Sequence, residues 1–365
     1  MTTATGNGIV NSLTSARLPK WAPWALLAIG WVVMAVVFAF LQASTGSADY
    51  NIVGAIFFGT VLFDVLLVTV SYLVEGSRKA RDRLVTSLVS TAFVIALLPL
   101  VSLVFTVVID GWKRFDIPFF TQSMRNVVGA GTEELPGGAL HALVGTLEIT
   151  GMATLISVPI GLLSAIYLVE YGRGHLARAI TFFVDVMTGI PSIVAGLFAF
   201  ALFALLFSDP GIRFGFGGAI SLTLLMIPTV VRSSEEMLKL VPNELREAAY
   251  ALGVPKWLTI LKVVIPTSIA GITTGVTLAI ARVIGETAPL LIIAGYTASM
   301  NYDLFNGRMM ALPLFVYTQY ANPGTDVQPY LDRAWAGALT LILIVMALNL
   351  IARLIARIFS PKLGR

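Results

Sequence analysis

Arg282 and Glu286 stand inside an apolar run, LAIARVIGETAPLL (278–291). A charge at the centre of a bilayer costs roughly 2.5–3.5 kcal/mol on insertion scales, so such residues face protein or a polar path rather than lipid. A guanidinium stays protonated, and its planar fork matches oxyanions with phosphate-like geometry. Four residues separate the two charges, and a continuous helix puts both on one face. Two readings follow. In one, Arg282 is a pathway cation for an anion and Glu286 restrains it. In the other, the two neutralise one another inside a helix bundle, where buried pairs contribute little net stability and apolar residues could replace them. Arg232 is a second candidate cation, with Asp185 and Glu148 as possible counter-charges. Asp64 reads as a carboxylate hydrogen-bonded between packed helices. Cysteine is absent and the two histidines, His141 and His175, lie far apart, so no metal site is expected.

The elements that must position these charges are membrane helices. Of 365 residues, 57% are hydrophobic and only 12% charged, against about 25% charged in soluble domains. The expected fold is therefore all-α and polytopic. Apolar stretches near 22–43, 52–74, 84–109, 142–169, 179–207, 215–232, 264–296 and 335–358 give about eight spans. The 215–232 stretch is the weakest, being Gly-rich at its start and interrupted by Pro228. The first span is too long for a signal peptide and a second follows at once, so an uncleaved anchor is expected. Placing both termini in the cytoplasm concentrates lysine and arginine inside by nearly three to one. Lys113, Arg114, Arg125, Arg213, Arg308 and Arg333 are then the outside cations. The net charge of +4 thus has a topological cause, and nucleic acid is not an expected partner. In this frame Arg232 lies at the cytoplasmic end of its span, where it also serves as a positive-inside anchor. Arg282 lies about 24 Å along its helix from Pro266. Gly271 and Gly275 form a small-xxx-small surface for close helix packing. Gly285 and Pro289 weaken the helix beside the charges, and Gly189-Ile190-Pro191-Ser192 reads as a packing or gating break.

Between the sixth and seventh spans the chain leaves the membrane in SSEEMLKLVPNELREAAYALGVPKWLTILK (233–262). Pro242 and Glu244 suit a helix start and Gly253 its stop. Leu245, Ala248, Ala249 and Leu252 recur at i, i+3, i+4 and i+7, making one narrow apolar face. Pro255 starts a second helical run through Leu261, and Pro266 marks membrane entry. A short helix gains stability by packing, so this one must lie on the bilayer, its own protein or a partner's groove.

Glu247-Ala248-Ala249, three residues, Gly253, nine residues and Val263-Val264-Ile265-Pro266 resemble the EAA signature of ABC importer permeases. The runs 157–174, 185–203, 227–242 and 243–257, together with 278–291, look like phosphate-specific permeases of that class, especially the A-type (PstA) subunit. The resemblance covers most of 140–300 and leaves residues 1–82 outside. It implies a type I importer core of six helices at 83–365 with its cytoplasmic coupling segment at about 233–262. Residues 1–82 would be an accessory two-helix hairpin with a basic linker, EGSRKARDR. It also implies that Glu247, Ala248, Ala249, Gly253 and Pro266 couple to an ATPase, while Arg282 and Glu286 take part in phosphate passage.

The function implied is a permease subunit of an ATP-driven importer of inorganic phosphate in a bacterial plasma membrane, with no covalent chemistry of its own. No G-x-x-x-x-G-K-[ST] loop occurs in the chain, so no cofactor is expected on it, and ATP with Mg would sit on partners. Those partners are a homologous second permease (PstC-like), two cytoplasmic ATPase subunits (PstB-like) and an extracytoplasmic phosphate-binding protein (PstS-like). A permease for sulfate, molybdate or phosphonate, and a secondary carrier driven by Glu286 protonation, are the alternatives.

Overall fold

The computed structural model describes residues 18–45, 50–129, 131–132 and 136–359. Both chain ends, expected on the cytoplasmic side, lie outside the described residues. The described chain is helical and divides into two compact units, Met1–Leu103 and Val104–Arg365.

In the first unit, α1 (Ala22–Thr45) and α2 (Ile52–Glu75) form an antiparallel hairpin, followed by α3 (Ser77–Trp112), within which the division falls. Gly30 and Gly59 let the hairpin backbones approach: a Cβ on Gly30 would lie 2.6 Å from the Gly59 carbonyl oxygen. Trp31 Nε1 donates to Thr60 Oγ1 at 3.2 Å, and Asn51 caps α2 through Gly54 N–H at 2.8 Å. The basic run expected as a linker is instead the opening of α3, separated from α2 by Gly76 alone, at φ +89°. Glu75, at the end of α2, accepts from Arg83 Nε at 2.7 Å and from Leu18 N–H at 2.9 Å. Asp64 accepts a hydrogen bond from Ser87 Oγ on α3, an interhelical partner as expected.

The second unit continues with α4 (Ile117–Thr121) and α5 (Leu140–Ile166), which ends in a π-helical turn, Tyr167–Tyr171. Then come α6 (His175–Thr188), α7 (Ser192–Phe207), α8 (Gly215–Lys239), α9 (Asn243–Ala251) and α10 (Lys256–Thr259). A second π-helical turn, Ile260–Val264, leads into α11 (Ile265–Val283), then α12 (Ala288–Ile293), α13 (Leu312–Ala321) and α14 (Val327–Phe359). Seven described helices are long and apolar enough to span, and α6 with α7 makes an eighth candidate bent by 110°. Thus the stretch at 179–207 is not one straight helix. Pro191 has no N–H and disfavours helical geometry at Ile190, so the helix stops and restarts there.

Contacts along α8 give the directions. Ile149 of α5 lies beside Gly218, the Ala153 carbonyl accepts from Thr223 Oγ1 at 3.5 Å, and Gly161 faces Val230. These positions advance together, so α5 and α8 are parallel. The bent α6–α7 pair therefore returns the chain from the end of α5 to the start of α8, as a span must. Along α11, Gly271 meets Met237 and Gly275 meets Ser233, so α11 runs antiparallel to α8. A Cβ on Gly275 would lie 2.5 Å from Ser233 Oγ, which only glycine permits.

This makes α8 the axis of the unit. Leu222, Met226 and Val230 are fully buried among α5, α11 and α12 residues, and Val231 is fully buried as well. Its sequence looked weak as a span because it faces protein more than lipid, and its small and hydroxylated residues serve helix contacts.

Candidate functional site

Arg282 occupies the last turn of α11, beside Thr229 on α8, whose Oγ1 accepts from Arg282 Nη1 at 3.4 Å. The helix ends at Val283, and residues 284–287 form a break before α12. Glu286 lies in that break, half-buried, with its N–H bonded to the Val283 carbonyl at 3.1 Å. The helix thus breaks where Gly285 and Pro289 are expected to weaken it, so the two charges do not share one continuous helix, and they form no ion pair among the described residues. Two causes combine. Gly285 weakens the turn, and Pro289 near the start of α12 packs so closely on α7 that a Cβ on Gly196 would meet Pro289 Cα at 2.6 Å.

Arg232, one turn beyond Thr229 on α8, has a different environment. It pairs with Asp185 of α6 and, at 3.1 Å, with Glu235, which in turn accepts from Lys239 at 2.6 Å. Two carboxylates thus neutralise Arg232, while Arg282 has none within ion-pair distance among the described residues. The two candidate cations reach the same region of α8, and of these two only Arg282 is left without a carboxylate partner among the described residues. Glu148 does not join them. It sits near the opposite end of α5, with Oε2 buried and without a hydrogen-bond partner. His141 is also buried, against the Phe315 ring. No group of three His, Asp or Glu side chains is placed to hold a metal among the described residues.

The segment after α8 forms the second part of the site. Pro242 opens α9, and Gly253 closes it at φ +77°, with its N–H bonded to Tyr250 O at 2.9 Å. Arg246 clamps α9 in place. It donates to Glu170 at 2.9–3.0 Å, to the carbonyls of Val241 (2.6 Å) and Leu238 (3.0 Å), and to Asn243 Oδ1 (3.3 Å). Leu238 lies in the last turn of α8 and Val241 just past its end, so these bonds tie α9 to the end of α8. Lys256 reinforces the clamp by donating to the Glu170 carbonyl and lying 4.7 Å above the Tyr171 ring. Nothing in the sequence marks the bonds of Arg246 and Lys256 to Glu170, or of Arg282 to Thr229, because these partners are distant along the chain.

The four apolar residues expected to share one face of α9 separate in the structure. Ala249 turns inward and is buried, whereas Leu245, Ala248 and Leu252 remain exposed, Leu252 at 84%. Glu247 is exposed beside them. Pro266 does not start a separate helix, since α10, the π turn and α11 form one run from Lys256 to Val283. Pro266 cannot donate to the carbonyl four residues back and its ring crowds it, and the widened π turn just before absorbs this conflict.

Comparisons with known proteins agree with this arrangement. The family model described as "Binding-protein-dependent transport system inner membrane component" matches residues 157–365. The phosphate transport system permease protein PstA 1 of Mycobacterium tuberculosis is 48% identical over 279 residues, covering 76% of this chain and 89% of that protein. PstA of Haemophilus influenzae is 40% identical over 278 residues, covering 76% and 94%. Among solved structures, a bacterial alginate ABC transporter chain superposes with a TM-score of 0.56 at 14% identity, over 78% of this chain and 97% of that one, a likeness of fold. The chain therefore belongs to the binding-protein-dependent transport system inner membrane components, as a phosphate transport system permease of the PstA type.

Proposed function

We propose that this chain lines part of the route by which inorganic phosphate enters the cell, in a complex powered by ATP on other subunits. The observation that carries this reading is the unpaired guanidinium of Arg282, set at a helix break against α8, where a cation has no use for packing alone. A passing oxyanion would take the hydrogen bonds that Arg282 leaves unused. Glu286, within the break, would limit how long the anion stays. Arg232, already neutralised by Asp185 and Glu235, would hold α6 to α8 as the route opens rather than bind cargo.

In this reading α9 faces the cytoplasm, both chain ends lie on that side, and Glu247, Ala248 and Leu252 meet an ATPase that binds ATP and Mg. A homologous second permease, a second ATPase subunit and an extracytoplasmic phosphate-binding protein complete the assembly. Closure of the ATPases would move α9, and Arg246 would pass that motion to α5 and α8 through Glu170 and the carbonyls of Leu238 and Val241. A carrier driven by Glu286 protonation would have no use for the α9 clamp.

Guanidinium geometry alone does not separate phosphate from sulfate or molybdate. The test is uptake into vesicles holding the whole complex, with ATP supplied, competed in turn by phosphate, sulfate and molybdate. Competition by phosphate alone, lost in Arg282→Gln, is the expected result. Undiminished uptake in an assembled Arg282→Gln complex, or uptake driven by a pH step without ATP, overturns the reading.

A further inference from the structure

At the end of the bundle opposite α9, Arg213 and Arg308 come together although they are far apart in sequence. The cause is the C-terminal end of α12. Its last carbonyls lack intrahelical donors, and two chain segments supply them: Phe214 N–H bonds Ile293 O at 2.9 Å, and Met309 N–H bonds Ala294 O at 3.1 Å. The residues preceding these donors are Arg213 and Arg308. Arg213 Nε adds a third bond, to Ile292 O at 3.1 Å. Gly295, at φ +76°, turns the chain away with no side chain, and both arginine stems settle over it. A Cβ there would lie 2.9 Å from Arg213 Cδ and 3.3 Å from Arg308 Cγ.

The two stems border a cleft of about 440 Å³ whose other walls include Leu197, Phe200, Leu291 and Tyr296. That volume lies in the range of small-ligand sites. The helix end attracts positive charge only weakly, and it accounts for one nitrogen of Arg213. The η nitrogens of Arg213 and the whole Arg308 guanidinium make no hydrogen bond among the described residues, and neither arginine has a carboxylate within ion-pair distance there. Two like charges carried on neighbouring stems are stabilised by an anion near both.

We propose that Arg213 and Arg308 form a binding site for a phosphate-type oxyanion on the membrane face opposite α9. Two guanidinium forks on neighbouring stems suit the tetrahedral oxygens of such a group. Its source is either free inorganic phosphate at the mouth of the route or the headgroup of an anionic lipid whose chains lie along Leu197, Phe200 and Leu291. The free-phosphate source rests on the cargo proposed above, and the lipid source does not.

The assembled complex, without its binding protein, is placed in phosphatidylcholine nanodiscs, and binding of radiolabelled inorganic phosphate is measured. In parallel, phosphatidylglycerol retained after purification from mixed lipid is counted by mass spectrometry. Arg308→Gln and the double variant Arg213→Gln/Arg308→Gln are compared with the unaltered chain. Arg308→Gln removes a guanidinium that holds no element of the fold, so it separates binding from folding. A loss of at least about tenfold in phosphate affinity identifies free phosphate. The same loss in retained phosphatidylglycerol identifies the lipid, and loss of both supports a shared oxyanion site. Unchanged values for both probes in Arg308→Gln, at an unchanged melting midpoint, overturn the proposal. That result would leave the Arg282 reading untouched, since uptake by Arg282→Gln is a separate measurement.

Discussion

Arg246 and Arg282 both reach α8, and they could hardly be held more differently. Arg246 has a side chain 12% exposed, pairs with a Glu170 that is 5% exposed, and binds the carbonyls of Leu238 and Val241 at the end of α8. Arg282 is exposed and makes one long hydrogen bond, to Thr229. A cation with every donor engaged is a fastener, and its loss leaves a buried partner charge stranded. A cation whose donors are mostly unused is available to something that comes and goes. Satisfaction of donors, rather than mere depth, separates the structural arginine from the transport candidate.

The largest effect is expected where compensation is complete. Arg246→Ala should lower stability by about 3–5 kcal/mol, because Glu170 is left buried and unpaired. Thermal unfolding of the assembled complex measures it, and an unchanged midpoint would erase the contrast drawn here.

Arg282→Gln should leave that midpoint in place while reducing ATP-driven uptake by roughly 10- to 100-fold, the worth of a lost charge-assisted hydrogen bond. If instead it destabilises the complex as Arg246→Ala does, Arg282 is also a fastener.

Gly253→Ala should cost about 1–2 kcal/mol through the left-handed backbone alone, since a Cβ there meets nothing within 4 Å. Its signature would be weakened coupling of ATP hydrolysis to uptake, with phosphate binding unchanged.

The smallest effect belongs to the Asp185–Arg232 pair, which is partly exposed. Asp185→Asn should change uptake by no more than about two- to fivefold, and a larger drop would move Arg232 into the anion route.

Much of this was legible in the sequence because membrane helices and helix caps are local. The apolar runs marked the spans, and Pro242, Glu244 and Gly253 marked α9 to within a residue or two of its observed ends. Gly271 and Gly275 signalled close packing, and α8 proved to be the helix they meet. Arg282 could be chosen because a charge in an apolar run is costly wherever it stands. The relation of Arg282 to Glu286 was not legible, because i, i+4 spacing places them on one face only while the helix continues. Whether it continues was decided by α7, through the contact of Gly196 with Pro289. The same limit hid Arg213 and Arg308, whose stems are neighbours only because α12 ends between their two segments.

The sequence by itself determined that the chain is a membrane-embedded helical permease with a short polar helix outside its spans. Hydrophobic run length, capping residues and the EAA-type spacing are all local quantities. Tertiary structure alone decided which charges are neutralised and which are left open. An ion pair depends on which distant segments meet, and that depends on how glycines, prolines and helix ends let α5 to α12 pack around α8.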